Sequence, residues 1–133
     1  MPNNFTISEF LIDKTEQLTY QVADKILKYH IALIQPIRDI MKTPIYVSEN
    51  SGFRSINWEK MHGRSGNSEH CFRGFGAVDY TCRLSRLREL FDLLKQSDYK
   101  RVCLYKTFIH CDNKGFEKQV FTCDGVHGWK RVD

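Results

Sequence analysis

A carboxylate interrupts an apolar run: Asp79 in Ala77-Val78-Asp79-Tyr80. The run is short, follows Gly76 and reads as a buried strand. An isolated carboxylate in such a place is costly unless it is paired, capped by hydrogen bonds or bound to a metal. The fold must therefore bring Asp79 a partner. Arg83, shortly after it, offers a simple salt bridge. Two other segments offer different chemistry: Ser68-Glu69-His70 before the run, and Phe108-Ile109-His110-Cys111-Asp112 well after it. Two imidazoles and one carboxylate with an open fourth position form a ligand set used by catalytic zinc rather than structural zinc.

The residues around this set allow either reading. His70 closes a polar loop after Asn67-Ser68, where a core role is not expected. His110 and Asp112 are two apart on a predicted strand and share a face with Phe108, while Ile109 and Cys111 face the other way. One of the pair can hold a metal while the other orients that ligand or moves a proton; a solvated sheet face is the plainer alternative. Arg54, in Ser51-Gly52-Phe53-Arg54-Ser55, is either a surface cation or a group that holds a substrate carboxylate or an oxyanion. His62 and His127 sit beside glycines in polar segments and are weaker candidates, and His30 reads as packing or surface.

A chain of 133 residues is expected to form one domain with its own core. No apolar run approaches the ~20 residues of a membrane span, and the Met1-Pro2-Asn3-Asn4 start lacks a signal-peptide pattern. Synthesis in the cytoplasm without membrane attachment is the expectation. The net charge of +4 is spread along the chain without a dense basic block, so nucleic-acid binding is not expected. A weakly positive field also suits an anionic polymer such as a bacterial cell wall. Five cysteines without a C-x-x-C pair argue against a thiolate zinc knot or a complete disulfide framework. Cys111 is expected to pack rather than ligate.

The apolar residues Leu18, Val22, Ile26, Tyr29 and Leu33 predict an amphipathic helix over residues 15–34, interrupted at Pro36 and followed by a shorter turn through Met41. Pro44-Ile45-Tyr46-Val47 predicts a strand, residues 56–69 a loop, and Leu84, Leu87, Leu90, Phe91 and Leu94 a second helix. Residues 102–105, 108–112 and 119–122 predict an antiparallel meander, with Asn113-Lys114-Gly115 turning between its last two strands. The class is α+β.

Ser-Gly-Phe-Arg-Ser, Ser-x-His, Gly-Ala-Val-Asp and Phe-Ile-His-x-Asp, in this order over roughly residues 5–130, resemble the M15 metallopeptidases of the D-Ala-D-Ala carboxypeptidase (VanY/LAS) type, nearest the M15_3 branch common in phage endolysins. The resemblance implies a hedgehog/DD-peptidase-like fold, a small antiparallel sheet with helices on its outer face. It implies Zn2+ held by His70, Asp79 and His110, with Arg54 and Ser68 contacting substrate. The implied reaction is hydrolysis of a peptidoglycan stem or cross-bridge peptide by a monomeric, phage-encoded enzyme that reaches the wall after release.

Two departures from the family pattern stand out. His70 and Asp79 are nine positions apart where seven is common, so residues 71–75 must bulge, which Gly74 and Gly76 permit. Thr107 and Phe108 occupy positions where relatives carry a proton-accepting residue. Asp112 is then the expected catalytic base, ahead of Glu69 and Glu49, and an M15-like module with a structural or binding role in a phage particle is the alternative.

Overall fold

The structure, a computed structural model, describes residues 4–11, 19–48, 51–64, 68–72 and 74–133, without the side chains of residues 56 and 57. The expected start of the first helix (15–18), Glu49, Asn67 and Arg73 lie outside the described residues.

Thr19 opens the first helix by accepting a hydrogen bond from the Val22 amide at 3.2 Å. Helix α1 (Tyr20–Ile26) continues through a π-helical turn, Leu27–Ile31, into α2 (Ala32–Met41). The predicted interruption at Pro36 does not occur, because Pro36 lies inside α2. Burial of Ile34, Ile37 and Met41 on that helix offsets the hydrogen bond that proline cannot donate. The π turn also resets the helical phase, placing His30 and Ile31 in the interior. Residues 56–69, expected as loop, contain helix α3 (Ile56–Met61), which Ser55 caps by accepting from the Trp58 amide at 2.9 Å. Helix α4 (Leu87–Lys95) buries Leu87, Leu90, Phe91 and Leu94, the face predicted from their spacing.

Among the described residues six strands form one sheet: β1 (Tyr46–Val47), β2 (Ala77–Thr81), β3 (Arg101–Leu104), β4 (Ile109–Asp112), β5 (Gln119–Cys123) and β6 (Trp129–Arg131), in the order β1-β2-β4-β3-β5-β6. The α+β class stands, but the sheet is mixed rather than antiparallel. Strand β5 runs parallel to β3, with Val120 opposite Val102. Both edges of β4 are taken, by β2 and by β3, so the expected β4–β5 hairpin has no place to form. Residues 113–118 instead cross to the far edge of β3.

Alternation along the strands separates two faces. Val78, Tyr80, Val102, Ile109, Cys111 and Val120 join Phe10, Ile26, Ile34, Leu90, Phe91 and Leu94 in the core. Cys111 therefore packs, as expected, and its thiol is free. The other face carries Asp79, His110 and Asp112. Among the described residues no helix is long and apolar enough to cross a membrane.

Candidate metal centre

Four hydrogen bonds set the two halves of the centre against each other. Ser51 Oγ accepts from the Asp79 amide at 2.7 Å and donates to the Asp79 carbonyl at 3.2 Å, fixing the strand that carries the carboxylate. The Gly52 carbonyl accepts a hydrogen bond from His70 Nδ1 at 3.0 Å. The Arg54 amide donates to the His70 carbonyl at 2.9 Å. The Ser51-Gly52-Phe53-Arg54 segment is thus the frame on which both residues are held. His70 itself sits on a short 3-10 turn, Glu69–Cys71, which Ser68 caps by accepting from the His70 amide at 3.1 Å.

The longer step from His70 to Asp79 is absorbed as a folded turn. Phe72 adopts a left-handed conformation and sends its ring into the core. Gly76 has φ +88°, and a Cβ there would lie 2.6 Å from the Phe72 ring. His30 secures the same turn from below: its Nε2 donates to the Phe75 carbonyl at 2.8 Å. That leaves Nδ1 to accept from Tyr99 Oη at 2.8 Å, and Tyr99 Oη lies 2.7 Å from Tyr80 Oη. Every polar atom of this buried chain has a partner.

On this frame His70, Asp79 and His110 bring one potential ligand atom each to within 4.8 Å of one another. Asp79 Oδ1 is 3.7 Å from His70 Nε2 and 3.0 Å from His110 Nδ1. The alternative Arg83 bridge is absent among the described residues, where both ion-pair partners of Asp79 are these histidines. The outer nitrogen of each imidazole is engaged: His70 Nδ1 on the Gly52 carbonyl, His110 Nε2 on Asp112 Oδ2 at 2.7 Å. This leaves Nε2 of His70 and Nδ1 of His110 turned toward Asp79, the arrangement in which an outer partner fixes the tautomer of a metal-binding histidine. Donors on one tetrahedral ion at ~2.1 Å lie about 3.4 Å apart, so small side-chain rotations would seat an ion here. Two imidazole nitrogens, one carboxylate oxygen and no thiolate fit zinc with an open position.

The protonation states follow from burial and partners. Desolvation lowers His70 to about 4, opposed by Asp79 and reinforced by His110 and Arg54, so its Nε2 lone pair is available at neutral pH. Burial also disfavours a charged His110, but hydrogen bonds to Asp112 and Asp79 outweigh it and raise the group to about 9. The His110 Nδ1 proton, donated to Asp79, thus stands where a cation would be held.

Asp112, the expected catalytic base, is engaged by other groups. It is fully buried, and Arg101 grips it with Nε at 2.9 and 3.1 Å and Nη2 at 2.6 Å. The Lys114 amide adds a further hydrogen bond at 3.0 Å. Burial opposes its ionisation, but His110, Arg101 and that amide together hold its carboxyl well below the usual range. Such a group orients His110 and is a poor proton acceptor. Arg54 is buried beside the centre, with Nη1 3.4 Å from Glu59 Oε2 and the guanidinium 5.5 Å from the Trp58 ring centre. Ser68 and Glu69 line a groove of about 440 Å3 whose other wall includes Phe75, Asn113 and Lys114.

His62 stacks on Trp58 and His127 pairs with Asp124, and neither belongs to the His70, Asp79 and His110 group. The residues missed from sequence are Glu59, Arg101 and Trp129. Ser55 as a helix cap was the available signal for the helix carrying Glu59; Arg101 and Trp129 depend on strand pairing that no local pattern reveals.

The family model described as Peptidase M15, of the M15_3 type, matches residues 3–112, ending with β4 and leaving β5 and β6 outside. No curated protein and no solved structure gives a significant match. The matched span covers most of the sequence and takes in His70, Asp79 and His110, and by this match the chain belongs to the Peptidase M15 family.

Proposed function

We propose that the protein is a zinc peptidase that hydrolyses a peptide bond in the stem or cross-bridge peptides of bacterial peptidoglycan, built on a hedgehog/DD-peptidase-like fold. The observation that carries this reading is the convergence of His70, Asp79 and His110 in a chain of a peptidase family. His70 Nε2, Asp79 and His110 Nδ1 would hold the ion. Zinc, when bound, supplies Lewis-acid activation of water and of the scissile carbonyl.

The remaining work falls to side chains. Asp112 and the Gly52 carbonyl keep the two imidazoles aimed. Arg54 provides a fixed positive charge beside His70 that favours negative charge developing on the carbonyl oxygen. With Asp112 committed to Arg101 and His110, the proton acceptor is Glu69, which borders the groove and lies 3.8 Å from Lys114 Nζ. Ser68, on the same groove, contacts the substrate peptide. The positive net charge suits an anionic wall polymer. A monomeric enzyme encoded by a phage, made in the cytoplasm and released onto the wall, completes the reading.

The test is incubation with purified peptidoglycan, with and without chelator. New amino termini that disappear with chelator support a peptidase. Intact wall peptides across several wall types, with zinc bound, would instead favour a binding module.

A further inference from the structure

The last two strands bring a side chain into the centre from outside the family-matched span. Trp129 lies on β6, and three inter-strand steps separate β6 from β4. In a flat sheet that is about 14 Å. Yet the Trp129 and His110 rings are 5.1 Å apart, so the indole reaches back across the sheet toward His110. Three contacts hold the indole there. Its Nε1 donates to Tyr105 Oη at 2.6 Å, Phe121 packs at 5.0 Å, and the Arg101 guanidinium lies 4.9 Å from its centre. Arg101 is the residue that grips Asp112, and Asp112 accepts from His110 Nε2.

His110 is therefore held twice. One restraint runs in the plane of the ring, through Asp112 to Arg101. The other bears on the ring from Trp129, which also covers the guanidinium. We propose that Arg101 and Trp129 form a positioning unit that locks the His110 imidazole for metal binding, so that the terminal β5–β6 hairpin is part of the metal centre. This rests on the reading of His70, Asp79 and His110 as ligands. Neither residue touches the ion; each acts through His110. Loss of a partner behind a metal-binding histidine typically costs 10–100-fold in affinity.

The test is zinc affinity by competition with a chromophoric chelator, together with the visible spectrum of the cobalt-loaded protein. Wild type, Arg101→Ala, Trp129→Ala and a His110→Ala control are compared, each after a circular dichroism check of fold. Affinity is expected to fall about 10–100-fold in Arg101→Ala and Trp129→Ala, with altered cobalt bands that report a changed ligand field. Trp129→Phe, which keeps a ring, is expected to stay within about threefold of wild type, and Arg101→Lys, which loses the two-pronged grip, to lose about tenfold. These conservative variants decide the matter if the alanine forms fold poorly. Wild-type affinity and spectrum in folded Arg101 and Trp129 variants would overturn the inference while leaving the ligands intact. Zinc binding by His110→Ala equal to wild type would overturn the ligand reading, and the inference with it.

Discussion

His110 Nδ1 lies 3.0 Å from Asp79 Oδ1, and a proton bridges the pair at neutral pH. Zinc and this proton compete for one nitrogen. His70, lowered to about 4, has no such proton to lose. Apparent zinc affinity is therefore expected to rise about tenfold per pH unit between about pH 5 and 8, a slope of one proton rather than two. Calorimetry in buffers of different ionisation enthalpy measures the release directly.

The same groups give the metal-free protein a peaked stability profile. His30 is lowered to about 4 by burial, and His70 likewise. The unfolded chain, titrating near 6.5, binds more protons than the folded one between those values, so stability falls as pH drops from about 6.5 to 4. His30 alone accounts for roughly 3 kcal/mol over that range. His110 works in the opposite sense: raised to about 9, it contributes stability below pH 6.5 that is lost as pH climbs through 9. Urea midpoints in chelator are expected to be highest near pH 6.5. Saturating zinc removes the alkaline decline.

Glu69 and Asp112 are separable by substitution. Glu69→Gln is expected to lower turnover of a stem peptide about 100-fold or more while zinc affinity stays near wild type. Asp112→Asn should weaken zinc binding about 10–100-fold, because it loosens His110. Steady-state kinetics beside chelator competition distinguishes the two. Full turnover in Glu69→Gln would return the proton to another group.

The turn between His70 and Asp79 has one position where a side chain does not fit. Gly76→Ala places a Cβ 2.6 Å from the Phe72 ring at a backbone φ of +88°. The expected cost is about 3 kcal/mol or more in urea denaturation, from backbone strain and overpacking together. Gly115→Ala is the control: its φ is +91° but nothing lies within 4 Å of the added atom, so only about 1 kcal/mol of strain is expected.

Local patterns carried much of this molecule. The spacing of Leu87, Leu90, Phe91 and Leu94 placed α4, and alternation placed Cys111 in the core opposite His110. Asp79 in an apolar strand announced that the fold had to bring it a partner. What remained hidden depends on pairing between distant segments. The parallel β3–β5 contact follows from competition for the edges of β4, which no stretch of sequence records. The role of Asp112 hinged on Arg101, opposite it across β3 and β4. The helix through Pro36 was obscured because tertiary burial, not propensity, decides it.

The proposed chemistry needs one ion at one place. Anomalous diffraction at the zinc edge, from crystals of the zinc-loaded protein, tests it most directly. A single strong peak at roughly 2.0–2.2 Å from His70 Nε2, an Asp79 carboxylate oxygen and His110 Nδ1 is the expected result. A fully loaded protein whose peak lies elsewhere, or that leaves any of the three side chains unbound, would contradict it.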